Sequence, residues 1–85
     1  MTVPSEQEVL ATIQAIAKAE LDREQPILMQ HRLIADLGID SLGSMILAVG
    51  LENHYRVRLN EQDAATLVTV ADVIALVRKR VADAQ

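Results

Sequence analysis

Eighty-five residues with a formal net charge of −4 and a single aromatic side chain define one small domain, whose core must be built from Leu, Ile, Val, Ala and Met. A hydrophobic content of 51 % predicts that the chain folds, and its acidic balance argues against nucleic acid as a partner, since phosphate binding needs a basic face, while suiting partners with basic docking surfaces. The absence of cysteine excludes disulfides, a thiolate nucleophile and a cysteine-ligated metal, so any thioester chemistry must take its sulfur from a cofactor.

The N-terminus, Met1 to Glu6, has neither the basic start nor the apolar run of a signal peptide. The longest apolar run near the centre, Met45 to Leu51, is far too short to span a membrane. A cytoplasmic protein is therefore expected. Ser5, with Glu8 three residues on, has capping-box spacing and opens a first helix over 5–21. Val9, Ile13, Ile16, Ala17 and Glu20 fall at helical spacing, widened by Leu10 and Leu21. Residues 22–40 form a long connection, since Pro26 stops the helix and biases Gln25 towards extended geometry. Ile27, Leu28, Leu33, Ile34 and Leu37 are expected to wrap it over the core, with a short helical turn near 30–33.

A second helix is predicted from Ser41 to Tyr55 or Arg56. Asp40 and Ser41 are both good N-cap residues, because a short side-chain oxygen accepts from the free N–H groups of a first turn. At about 100° per residue, Leu42, Met45, Ile46 and Val49 share one face, and Leu47, Ala48, Leu51 and Tyr55 the opposite one. One apolar face suffices for a small bundle, so the other is either covered by the long connection or used for partners. Arg56 and Arg58 follow, where cations favour the C-terminal dipole. Asn60 is expected to cap a short helix over 61–67, with Asp63 three residues on. Thr69 caps a last helix in the same way with Asp72. Val70, Val73, Ile74, Val77 and Val81 give that helix its core face, and Arg78-Lys79-Arg80 reads as a solvated, dipole-matched end. The expected architecture is all-α, a small four-helix bundle of three longer helices and one short one. A long loop joins helices one and two, and the core spans about residues 5–82.

Leu37-Gly38-Ile39-Asp40-Ser41-Leu42 is the stretch that carries chemistry. A serine at a helix mouth tolerates an esterified phosphate, because the free N–H groups and the helix dipole favour an anion there. At these residues the chain resembles the acyl carrier proteins, whose attachment motif is Asp-Ser-Leu preceded by Leu-Gly-x. Helix order and length extend the resemblance from about Ser5 to Val81. The resemblance implies a non-catalytic, monomeric carrier with 4′-phosphopantetheine, taken from coenzyme A, esterified to the Ser41 hydroxyl by a phosphopantetheinyl transferase. Acyl groups would ride on the thiol as thioesters. The further partners it implies are an acyl-loading ligase or transferase, and a ketosynthase or other acyl-processing enzyme of fatty acid, polyketide or related biosynthesis. Asp40, Leu42, Met45, Val49 and Glu52 would form the docking face.

The second helix departs from the strongly acidic one of bacterial fatty acid carriers, since Gly43, Ser44, Ile46 and Asn53 stand where acids are usual and Glu52 alone remains. Gly50 weakens it further, by roughly 1 kcal/mol relative to alanine. Apolar docking and a specialised pathway are the expectation. Aminoacyl and peptidyl carriers share the layout, but their lead-in is more often Gly-Gly-His/Asp-Ser-Leu. A cofactor-free helical adaptor is the rival of a different class; it explains the second apolar face but leaves Asp-Ser-Leu as a mere cap. A serine hydrolase is disfavoured, because Gly38 and Gly43 do not have nucleophile-elbow spacing and no strand precedes Ser41. His31 and His54 read as surface residues, and Asp36 and Asp40 lack the alternating ligands of an EF-hand.

Overall fold

A computed structural model describes residues 2–22, 24–60, 62–63 and 66–84. Among these residues the regular structure is three helices and no strand: α1 (Glu6–Leu21), α2 (Ser41–Tyr55) and α3 (Val70–Ala84). Each begins where a short polar side chain takes over an unpaired backbone donor. Glu8 N–H donates to Ser5 Oγ at 3.1 Å for α1, and Gly43 N–H donates to Asp40 Oδ1 at 2.8 Å for α2. For α3, Asp72 N–H donates to Thr69 Oγ1 at 3.2 Å. Asp22 and Arg56 end α1 and α2 in the left-handed region, at φ 54° and 56°.

The core is built from one face of each helix. Val9, Ile13 and Ala17 of α1 meet Leu47 and Leu51 of α2 and Val70, Val73, Ile74 and Val77 of α3. The segment between α1 and α2 adds Ile27, Leu33, Leu37 and Ile39. Of the residues expected to wrap, Leu28 and Ile34 do not: they are 45 % and 72 % exposed. Glu20 likewise sits on the surface. The turn expected near 30–33 lies further on, where Asp36 and Leu37 N–H donate to Arg32 O and Gly38 N–H to Ile34 O. Gly38, at φ 65°, closes it in a conformation that suits a residue without Cβ.

This segment also completes α3. Val70 and Ala71 N–H, first-turn donors with no partner inside the helix, donate to His31 O and Met29 O, both at 2.9 Å. Leu33 N–H returns a bond to Val68 O at 2.9 Å, and Arg32 forms an isolated bridge with Thr69. His31 therefore differs from the surface residue expected: it is half-buried, and its Nδ1 accepts from Leu28 N–H at 3.0 Å.

The arginine run of α3 is another correction. It sits well inside the helix, not in its last turn. Arg78 Nε donates to Pro4 O at 3.0 Å, and Arg80 pairs with Asp63. Both guanidiniums thus tie down segments distant in the chain. The short helix expected over 61–67 falls in part outside the described residues, at Glu61, Ala64 and Ala65. Gln62 and Asp63 are helical, and Asp63 N–H donates to the expected cap, Asn60 Oδ1, at 2.8 Å.

The reciprocal half of the α3 cap is a titrating group. Asp72 Oδ2 accepts from Thr69 N–H and Val68 N–H, each at 3.0 Å, and these bonds hold its carboxyl below the ordinary 3.8. A carboxyl depressed in the folded state adds stability above its unfolded value, and that stability is lost as pH falls through the lowered one. Asp72→Ala is expected to melt a few degrees below the parent at neutral pH. The gap should narrow as pH drops below 3.8, as thermal melts across that range will show. An unchanging gap would mean that the charge contributes nothing to the cap.

Candidate functional site at the mouth of helix α2

Two buried residues flank the turn that delivers the site. Leu37 and Ile39 are sunk into the core on either side of Gly38, and Ile39 N–H is fixed to Leu33 O at 2.8 Å. Asp40 emerges at φ −79°, ψ −171° and turns its carboxylate back to Gly43 N–H, while Ser44 N–H donates to Asp40 O at 2.8 Å. Asp40 thus does the capping, and Ser41 is the first helical residue, exposed at the mouth of α2. No acid lies in the first turn of α2. An anion on the Ser41 oxygen would face the positive end of the helix, with the Asp40 carboxylate as its neighbour in the chain.

Beyond Ser41, one face of α2 is an apolar ridge. Leu42, Met45 and Val49 are 66 %, 63 % and 51 % exposed. The opposite face buries Leu47 and Leu51, with Ala48 and Tyr55 half-buried. The Tyr55 and Thr12 hydroxyls lie 2.9 Å apart and tie this face to α1. Among the described residues, neither the connecting segment nor another helix buries the ridge. Ile46 does not belong with it, being half-buried towards α1.

Two hollows flank the ridge. A groove of about 990 Å³ runs between α1 and α2, with Ala15, Ile16 and Ala19 on one side and Leu42, Ile46 and Gly50 on the other. A depression of about 450 Å³ opens beside Ser41 itself, between Ser44 and Ala48 of α2 and Ile34, Leu59 and Leu67. Ile34, expected to wrap the core, instead lines this depression, and no sequence spacing announces its convergence with Leu59 and Leu67. Glu52 stands at the edge of both ridge and depression, and its Oε2 accepts from Leu59 N–H at 2.9 Å.

The Asp36 and Asp40 carboxylates are both engaged by backbone donors, Arg32 N–H and Gly43 N–H. No group of three or more potential metal ligands occurs among the described residues. His54 packs edge-on against Tyr55. No hydrogen bond joins either histidine to Ser41 among the described residues. No described helix is long and apolar enough to cross a membrane.

Comparison with known proteins matches residues 9–77 to the family described as "Phosphopantetheine attachment site". The chain is 35 % identical over 77 residues to the meromycolate extension acyl carrier protein of Mycolicibacterium aurum, an alignment covering 88 % of this chain and 78 % of that protein. It spans 66 % of the proteins of the same name from Mycobacterium tuberculosis. The crystal structure of an acyl carrier protein from Thermotoga maritima superposes with a TM-score of 0.88 over 94 % of both chains, and at 18 % identity it establishes the fold alone. A candidate acyl carrier protein from M. tuberculosis is 32 % identical, with a TM-score of 0.69 over 95 % of this chain and 100 % of its own.

Proposed function

The chain belongs to the acyl carrier proteins, and from that premise we propose that Ser41 is the residue whose hydroxyl carries its 4′-phosphopantetheine. Such a protein is a carrier and not an enzyme. When bound, the group supplies the thiol on which acyl thioesters are held, and this chain has no cysteine of its own. The observation that carries the reading is the division of labour at the head of α2. Asp40 satisfies the first-turn donor, so Ser41 is exposed and free of capping duty, with an electropositive helix end behind it. The cofactor-free adaptor reading has no use for that arrangement.

Leu42, Met45 and Val49 then serve as the docking ridge for the transferase, the loading enzyme and the acyl-processing enzymes, with Asp40 at its head. Glu52 lies at its edge with one carboxylate oxygen already engaged. Docking through α2 accordingly rests on apolar contact more than on charge. That favours a specialised lipid or polyketide pathway over general fatty acid synthesis, and the meromycolate extension carriers among the relatives support the lipid side. The aminoacyl and peptidyl alternative is weakened by the same relatives. The carrier is read as a cytoplasmic monomer.

The test is an intact mass. Incubated with coenzyme A and a broad-specificity phosphopantetheinyl transferase, the protein should gain one phosphopantetheine, with the modified fragment containing Ser41. No gain under conditions that modify a control carrier would reject the assignment. A companion result concerns the ridge: Val49→Asp should melt within about 0.5 kcal/mol of the parent, as exposed substitutions do. Its modification should slow by an order of magnitude or more, for loss of an apolar contact. A collapse in stability would place Val49 in the core.

A further inference from the structure

The segment that leaves α2 is the outer wall of the depression beside Ser41, and Glu52 holds it twice. The Glu52 backbone carbonyl accepts from Arg56 N–H, where the chain turns at φ 56°, and from Val57 N–H at 3.2 Å. Its side chain then reaches seven residues ahead, and Oε2 accepts from Leu59 N–H at 2.9 Å. Both ends of that bond line the depression, Glu52 following Ser44 and Ala48 along α2, and Leu59 and Asn60 lying in the segment beyond the helix. Further along, the same segment is tied to α3, by the ion pair of Asp63 with Arg80 and by Val68 N–H, which donates to Asp72 Oδ2 at 3.0 Å. Among the described side chains, Glu52 is the one on α2 that hydrogen-bonds to residues 57–60.

We propose that Glu52 is the positioning residue of this site: its carboxylate latches residues 57–60 against α2 and so sets how far the depression beside Ser41 admits an alkyl chain carried from that serine. This rests on Ser41 being the attachment residue. The chemistry of the walls suits such a cargo, since Ile34, Met45, Ala48, Leu59 and Leu67 offer it hydrocarbon. Leu51, the neighbour of Glu52, is fully buried, whereas Leu59 is only half-buried and packs at the edge of the core, where the Glu52 carboxylate holds its backbone. An acceptor at position 52 is the requirement, and charge is not, so glutamine should substitute and alanine should not.

The test compares the parent, Glu52→Gln and Glu52→Ala in two measurements. In the unmodified protein, Leu59 amide exchange should quicken by about tenfold or more in Glu52→Ala, the loss expected when a bond to a charged acceptor is removed, with Ile13 and Leu51 amides still protected. Glu52→Gln should stay within about threefold of the parent, because its carbonyl still accepts. In protein loaded with an octanoyl thioester, cleavage by neutral hydroxylamine should be severalfold faster in Glu52→Ala and near the parent rate in Glu52→Gln. Equal behaviour of both variants would overturn the latch, as would faster Leu59 exchange with unchanged thioester cleavage. Failure of the Ser41 assignment shows separately, as absence of any mass gain on loading.

Discussion

Ser41→Ala will take up no phosphopantetheine and will melt within about 2 °C of the parent, whereas Asp40→Ala will be destabilised by about 1 kcal/mol and keep its hydroxyl. The contrast follows from which side chain closes the helix. Asp40 accepts from Gly43 N–H at 2.8 Å, and removing such a cap costs 0.5–2 kcal/mol, or roughly 4–8 °C per kcal/mol in a domain of this size. Ser41 is already helical and exposed, so alanine there deletes no cap and slightly improves helix propensity. Intact mass and thermal melts on the same two preparations decide it. If Ser41→Ala still gains the group, the attachment point lies elsewhere. If it melts as low as Asp40→Ala, the hydroxyl was a cap after all and its exposure carries no functional meaning.

What the sequence made legible follows how far each interaction reaches. Ser5 with Glu8 and Thr69 with Asp72 are three-residue bonds, readable because both partners sit in one short window, whereas at the head of α2 the same window offers Asp40 and Ser41 alike and only the structure assigns the cap to Asp40. The two apolar faces of α2 were readable for the same reason, since helical spacing alone separates Leu42, Met45 and Val49 from Leu47 and Leu51. Arg78 was read as a solvated helix end because its acceptor, Pro4 O, lies 74 residues away. Leu28 and Ile34 look as apolar as Ile27 and Leu33, and only the path of the chain across α3 decides which of them face inward. The depression beside Ser41 was invisible for that reason: it is made where Ile34, Leu59 and Leu67 converge from separate segments.

Gly50 marks the largest such gap, and it leads to the second strong expectation. In sequence it reads as a defect in α2. In space it is where α2 meets α1, and a Cβ there would lie 3.0 Å from both Cδ1 and Cγ2 of Ile16 and 3.3 Å from Cγ1. Cδ1 can swing aside, but Cγ1 and Cγ2 are both bonded to a β-branched centre held in one strongly preferred helical rotamer. Gly50→Ala should therefore come out near neutral. A gain of about 1 kcal/mol in helix propensity is offset by crowding of 1–3 kcal/mol. Gly50→Val has no such offset, because two further methyls must enter the same contact and valine is a poorer helix former. It should cost about 3 kcal/mol or more, seen as a drop of well over 10 °C in the melt. Shortening the opposing side chain tests the cause: Gly50→Val with Ile16→Ala should be less destabilised than the sum of the single changes. The same contact forms the floor of the groove beside the Leu42–Met45–Val49 ridge. A crowded Gly50 that leaves the fold intact should therefore shift the ridge away from α1 and slow modification at Ser41, without touching either residue that caps or carries. Additive single and double variants would show that α1 and α2 do not meet at this glycine, and the ridge would lose its support.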